Sequence, residues 1–194
     1  ELLPLIGQFG REYYLAGGTA VALHIGHRRS IDFDLFKCSS LNHKKSLNRI
    51  SDFGLQYDVT RRVADQMNVT VGDVKVTFLE YPFHVEAKIK LENIIRIPEL
   101  IDLSAMKAYA LGRRSKWKDY VDLYYILKDH FSYGQIAKRA SDVFGQLFSE
   151  KLFRAQLSYF DDIDYSEQVE YVNTAVPEEE IRAFLAAKSI EINL

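Results

Sequence analysis

Cysteine occurs once, at Cys38, and that scarcity removes two kinds of structure at the outset. No internal disulfide can form, and no cysteine-based zinc site can be assembled. The usage fits a reducing, cytoplasmic setting. No apolar run reaches the roughly 20 residues a membrane span needs, no signal peptide is visible, and no membrane association is expected. A basic excess is missing too: 25 Lys and Arg stand against 27 Asp and Glu, for a net charge of −2. The chain as a whole is therefore not a polycation that coats nucleic acid. Contact with a polynucleotide has to come from local clusters such as Arg28-Arg29, Arg61-Arg62, and Arg113-Arg114 with Lys116 and Lys118. Internal repeats and low-complexity linkers are absent as well. What the 194 residues do hold is 47% hydrophobic and 13% aromatic side chains, enough for a packed core of one domain or a compact core with a helical extension.

The first half mixes periods. Leu2 to Phe9 is expected to form a short helix, Tyr13 to Ala16 a strand running into Gly17-Gly18, and Thr19 to Ile25 a helix starting after the glycines. Ile31 to Phe36 reads as a mostly buried strand and Lys44 to Phe53 as a helix. Leu55 to Val63 is a further strand. Met67 to Val71 and Val74 to Tyr81 flank Gly72-Asp73, a two-residue turn suited to an antiparallel hairpin. After Pro98 the texture becomes helical: Glu99 to Gly112, Trp117 to Leu127, Tyr133 to Phe148 behind a Ser132 cap, Glu150 to Phe160, and a start at Pro177 with three glutamates. The expected class is α+β, with a mixed-sheet head over residues 1–97 and a helical region over 98–194.

The most informative segment is Ser30-Ile31-Asp32-Phe33-Asp34-Leu35-Phe36. In a strand, acids at i and i+2 project from one face. Two carboxylates so placed repel each other and resist desolvation, and a divalent cation such as magnesium relieves both penalties while leaving room for phosphate. Upstream, a strand feeding Gly17-Gly18 and then a helix presents backbone N–H groups where phosphate oxygens bind. A tight strand-to-helix turn would need the same glycines, and exposed strand edges often carry acids. In combination, a phosphate cradle one helix ahead of a two-carboxylate strand matches the order nucleotidyl transfer requires.

Leu15-Ala16-Gly17-Gly18-Thr19-Ala20 followed by His27-Arg28-Arg29-Ser30-Ile31-Asp32-Phe33-Asp34-Leu35-Phe36 resembles the abortive-infection nucleotidyltransferase toxins of the AbiEii/AbiGii type, within the DNA polymerase beta-like superfamily. Leu103 to Ala108 through Arg113, then Lys118-Asp119-Tyr120-Val121-Asp122-Leu123-Tyr124, is similar to that family's lysine, arginine and helical aspartate motif. Val74 to Phe83 is similar to its middle strand. The likeness covers roughly residues 12 to 127. It implies a cytoplasmic enzyme moving a nucleoside monophosphate from an NTP to an acceptor, with magnesium or manganese as cofactor. It also implies an RNA acceptor such as a tRNA 3′ end, and a cognate antitoxin as partner. On this resemblance Gly17, Gly18 and Thr19 bind the triphosphate, Asp32 and Asp34 hold the metal, and Lys107 meets phosphate. Arg28 and Ser30 flank the metal strand, and Asp119 and Asp122 position Lys107 or an arginine. The plainer alternatives are an exposed helix lysine at 107 and a helix face salt-bridged to Arg113 or Lys118. His24 and His27 are expected to pack or cap.

One departure stands out. The superfamily's enzymes usually draw a third carboxylate from a neighbouring strand, here near position 77, and this chain has Thr77. Threonine neither binds magnesium strongly nor takes a proton at neutral pH. Glu80 falls on the opposite face by strand parity unless a bulge intervenes, and Asp58 is the other candidate. Either the base comes from elsewhere, or the chemistry is slow, or the fold binds nucleotide without turning it over. A non-catalytic nucleotide- or partner-binding module is thus the second reading, and a plain α+β scaffold the third.

Overall fold

The computed structural model of the chain describes residues 2–191. It divides into two compact units: one runs to Ala20 and from Ser30 to Glu99, and the other takes Val21–Arg29 and the chain from Leu100 onward.

The first unit is a seven-stranded mixed sheet in the order β3-β4-β5-β2-β1-β7-β6. Its strands are β1 (Tyr14–Ala16), β2 (Phe33–Lys37), β3 (Asp58–Val63), β4 (Gln66–Val71), β5 (Val74–Glu80), β6 (Ile89–Leu91) and β7 (Ile95–Ile97). Gly72 holds φ +59° in the two-residue β4–β5 turn, the left-handed geometry such a hairpin needs. Parity assigns the sheet's two faces. Leu15, Leu35, Met67, Val69, Val76 and Phe78 point to one face and are all fully or almost fully buried. The helices α1 (Leu3–Gly7) and α3 (His43–Asp52) belong to this unit, and Ser46 of α3 lies 3.5 Å from the hydroxyl of Tyr13. Phe78 meets the rings of Phe9 at 4.9 Å and Tyr13 at 5.5 Å, both edge-on. Glu12, in the chain between α1 and β1, accepts from two residues of α3, Lys45 at 2.8 Å and Arg49 at 2.5 Å. The opposite face carries Gln66, Asn68, Thr70, Thr77 and Asp34, and most of it is only half-buried.

The second unit is helical, with α4 (Leu100–Leu111), α5 (Trp117–Asp129), α6 (Tyr133–Phe144), α7 (Glu150–Leu157) and α8 (Glu178–Ile190). Ser132 caps α6 in a full capping box with Gln135. α4 packs on α5, α6 and α7, while α8 packs on α5 and α7. The segment after α7 returns to the chain before Ser30: Arg29 N–H donates to the Glu170 carbonyl at 2.7 Å, and Val172 N–H to the His27 carbonyl at 3.1 Å. The helix α2 (Gly17–Ile25) is the piece of chain shared by both units.

The structure departs from the sequence reading at several elements, of which α2, the acidic strand, β6 and β7 bear on the site. α2 begins at Gly17 itself, two residues before the expected start. The acidic strand begins at Phe33, so Asp32 precedes it; the Asp32 Oδ1 accepts the Lys75 backbone N–H at 3.0 Å, and a side chain takes an amide that the strand pairing would otherwise use. The short strands β6 and β7 were not expected at all. Three-residue strands carry too few alternations to register against their surroundings.

Candidate active site

The register of the sheet builds the first cluster. Ala16 pairs with Asp34, Asp34 with Thr77, Thr77 with Asn68, and Asn68 with Arg61. Cross-strand partners share a face, so a row of small and polar side chains crosses the half-buried side of the sheet. Next to Ala16 the chain turns sharply: Gly17 adopts φ +67°. A Cβ added there would lie 1.9 Å from Asp34 Oδ2. The glycine is therefore required twice, by its left-handed backbone and by the carboxylate lying against its Cα. Gly18 and Thr19 follow in the first turn of α2, where amide N–H groups lack helical acceptors. The buried Thr19 hydroxyl donates to Ser30 Oγ at 2.8 Å and also reaches the Asp32 carbonyl. That contact fastens the Ser30–Asp32 segment to the glycine turn. Gly17, Gly18, Thr19, Ser30, Asp32 and Asp34 are thus brought together within the first unit.

The hard oxygen donors here suit a hard cation. No group of three or more His, Cys, Asp or Glu residues gathers for a metal among the described residues. A cation in this place would rest on Asp32, Asp34 and the oxygens of a bound phosphate, the manner in which Mg²⁺ is commonly held.

The position beside Asp34 where a third carboxylate would stand is Thr77, which is nearly buried. Glu80 pairs with Lys37 in an unbroken β2–β5 register, so it faces the other way. Among the described strands the one register shift lies on β3, between Val59 and Arg61. Asp58 belongs to that strand, three strands from β2, which at about 4.8 Å per strand puts it some 14 Å across the sheet.

The second cluster lies within the second unit. Lys107 on α4 is buried, with Nζ 2.5 Å from Asp119 Oδ1 and 2.6 Å from Asp122 Oδ2, both on α5. Arg28 donates twice to Asp122, at 2.7 and 3.0 Å. His27 Nε2 lies 2.8 Å from the same carboxylate. Arg114 reaches Asp119 at 2.9 Å. Burial alone would push the Asp122 carboxyl up, but Lys107 and Arg28 outweigh it and hold that acid well below the usual carboxylate range. Asp119 is lowered in the same way by Lys107 and Arg114. For Lys107, burial disfavours the charge, yet the two aspartates raise its affinity for the proton above the ordinary value. Lys107 is not an exposed helix lysine, and the partners of Asp119 and Asp122 are not Arg113 or Lys118.

A family model described as nucleotidyl transferase AbiEii toxin, type IV toxin–antitoxin system, matches residues 6–191. The chain belongs to the AbiEii family. A curated relative, uncharacterized protein aq_aa25 of Aquifex aeolicus (strain VF5), is 29% identical over 126 residues, which are 61% of this chain; the match spans 59% of that protein's length. Among solved structures the AbiEii chain is similar to MenT4, a nucleotidyltransferase toxin of Mycobacterium tuberculosis H37Rv, with a TM-score of 0.62 at 15% identity, covering 97% of this chain and 79% of the other. It is also similar to JHP933 of Helicobacter pylori, with a TM-score of 0.57 at 17% identity, covering 96% and 86%. At such identities the likeness establishes the fold: a nucleotidyltransferase-like α+β architecture.

Sequence reasoning missed His27 and Arg114 as members of the ion cluster. His27 stands directly before Arg28 in the motif, which is a signal of a kind. Arg114 is separated from Asp119 by a loop residue and a helix start, and no periodicity links positions on either side of such a break. No helix among the described residues is long and apolar enough to cross a membrane.

Proposed function

We propose that this AbiEii-family protein is a magnesium-dependent nucleotidyltransferase that moves a nucleoside monophosphate from an NTP to an acceptor. We further propose that the acceptor is RNA, such as a tRNA 3′ end, and that the protein acts as the toxin of a toxin–antitoxin pair. The observation that carries this reading is the close approach of the Asp34 carboxylate to the Cα of Gly17, at the head of a helix. That geometry sets a negative, oxygen-rich group beside backbone amides able to hold phosphate.

In this reading the Gly17 and Gly18 amides hold the triphosphate. Thr19 keeps its hydroxyl on Ser30 and the Asp32 backbone, so it holds the acidic segment at a fixed distance from the phosphate cradle. Asp32, with one oxygen committed to the Lys75 amide, and Asp34 would hold a divalent cation. Such a cation, when bound, neutralises phosphate charge and favours the alkoxide form of the acceptor hydroxyl. Phosphoryl transfer asks mainly for positioning and charge stabilisation, so a threonine at position 77 is compatible with turnover that is slow. The family's description as a toxin of a type IV toxin–antitoxin system and the toxin named among the structural neighbours support the toxin and antitoxin parts. Arg61, exposed on β3 and on the same face of the sheet as Asp34 through its partner Asn68, would meet acceptor phosphates, and that contact should weaken as salt rises.

The decisive assay incubates purified protein with each labelled NTP, Mg²⁺ and bulk RNA. Label should pass to RNA with the native protein and fail to pass with Asp34→Asn. A second reading, nucleotide binding without transfer, is favoured by Thr77 alone. It is established if calorimetry shows NTP binding while no NTP, metal or RNA combination yields labelled product.

A further inference from the structure

We infer that a second anion-binding site, for the phosphate of a nucleotide, lies at the end of the sheet away from the glycine turn. A cavity of about 500 Å³ opens there, walled by the starts of β1 and β7, the end of β2, and the 84–88 segment. Its volume lies in the range of small-molecule sites. Tyr14, on its wall, is three residues before Gly17, about 10 Å along an extended chain.

The charges on this wall do not cancel. Glu12 is already bound by Lys45 and Arg49, whose hydrogen bonds hold its carboxyl down to about 2. Glu86 is paired with Lys88. The charges left over are two cations, Lys37 and Arg96, neither of which has a carboxylate within ion-pairing distance among the described residues. Lys37 is only 8% exposed. Its ammonium sits 5.0 Å from the centre of the Tyr13 ring, and burial makes its charge costly to keep. Glu12 and Glu80 act on that ammonium only from beyond ion-pairing distance, so an incoming anion stabilises it further. Arg96 is exposed at the rim, where a guanidinium fork matches phosphate oxygens. His84 adds a further donor on the same wall.

The phosphate belongs to a nucleotide because a band of aromatic rings starts at the cavity. Tyr14 on the wall meets Phe36 at 6.1 Å, Phe36 meets Tyr81 at 5.0 Å, and Tyr81 meets Phe83 at 5.1 Å. Tyr81 and Phe83 are half-buried, so ring surface is available to a base. A free mononucleotide and one nucleotide of a strand share this chemistry. The assignment does not depend on the transfer reaction.

Cys38 supplies the test, because the sole thiol is exposed and lines this cavity. Its alkylation by N-ethylmaleimide, followed by intact mass, should slow when the cavity fills. The probes are inorganic phosphate, AMP and a short oligouridylate, without Mg²⁺, against native protein, Arg96→Glu, Lys37→Met and Asp34→Asn. A probe at ten times its Kd should slow alkylation about tenfold, because only the empty fraction reacts. Protection should persist in Asp34→Asn and vanish in Arg96→Glu, whose exposed position spares the fold. AMP protecting better than the oligonucleotide supports a free mononucleotide; the reverse order supports a strand. No protection by any probe overturns the proposal, as does equal protection in Arg96→Glu and Lys37→Met. Equilibrium dialysis of AMP against the same variants reads binding without the thiol: a bound equivalent lost in Arg96→Glu supports the site, and none in the native protein overturns it.

Discussion

Two of the chain's closely spaced aspartate pairs are treated oppositely. Asp119 and Asp122 are buried and clasped by Lys107, Arg28, Arg114 and His27. Asp32 and Asp34 are half-buried, one on a backbone amide and the other against a glycine Cα. A carboxylate surrounded by cations has spent its charge on the fold. Spacing in the sequence does not separate the two cases; surroundings do.

The largest effect is expected from removing one member of the clasped pair. Asp122→Asn leaves Lys107 and Arg28 buried with too little negative charge, a loss of about 3–5 kcal/mol. For a chain of this size that lowers the melting temperature by roughly 10 °C, readable by circular dichroism. Next comes Asp34→Asn, which should reduce transfer about a hundred- to a thousandfold and shift the melting temperature by little. If Asp34→Asn melts the protein while Asp122→Asn leaves stability untouched and abolishes transfer, the contrast between the pairs is inverted.

The acid limb of stability sharpens the same contrast. The Asp119 and Asp122 carboxyls are held below their ordinary value of 3.8. Their contribution is therefore complete above that value and is lost as pH falls through the lower, folded-state range. Lys107 is raised above its ordinary 10.5, so its contribution is complete below 10.5 and is lost at higher pH. The contributions of Asp119, Asp122 and Lys107 should stay level from about pH 5 to pH 9, and the melting temperature should fall below about pH 4 as the two carboxyls protonate. In Asp122→Asn the acid decline should be shallower, starting from a lower plateau. An identical slope in the two proteins would place the acid sensitivity elsewhere.

Legibility in the sequence tracked how local the determining physics is. The β4–β5 hairpin was readable because Gly72-Asp73 carries its own turn conformation. The α6 cap was readable because Ser132 is a favoured N-cap residue standing just ahead of the helical run. The joining of Gly17 to Asp34 was legible as a motif but not as a contact, since a 1.9 Å clash for an added Cβ belongs to strand register. The clasp on Asp122 was legible only in part: the resemblance set Lys107 or an arginine beside Asp119 and Asp122, but His27 and Arg28 lie 95 and 94 residues from Asp122, and nothing local joins them to it. The cavity at Lys37 was beyond the sequence for the same reason, as its wall comes from four separate stretches.

The smallest effect, and the one predicted gain, concerns the half-buried pair. Thr77 stands beside Asp34 on the adjacent strand, with Asn68 as its next partner, so a carboxylate there would share the face and the row. Thr77→Asp removes a nearly buried hydroxyl and adds a proton acceptor within one strand spacing of Asp34, about 5 Å. If turnover is limited by the missing base, transfer should rise about tenfold, the lower end of what a positioned base supplies. The added negative charge should also tighten divalent binding, visible as a lower Mg²⁺ requirement. A rise in metal affinity without a rise in rate would show that the base is supplied by substrate or solvent. A fall in both would mean that three carboxylates on one strand row repel more than a cation can offset.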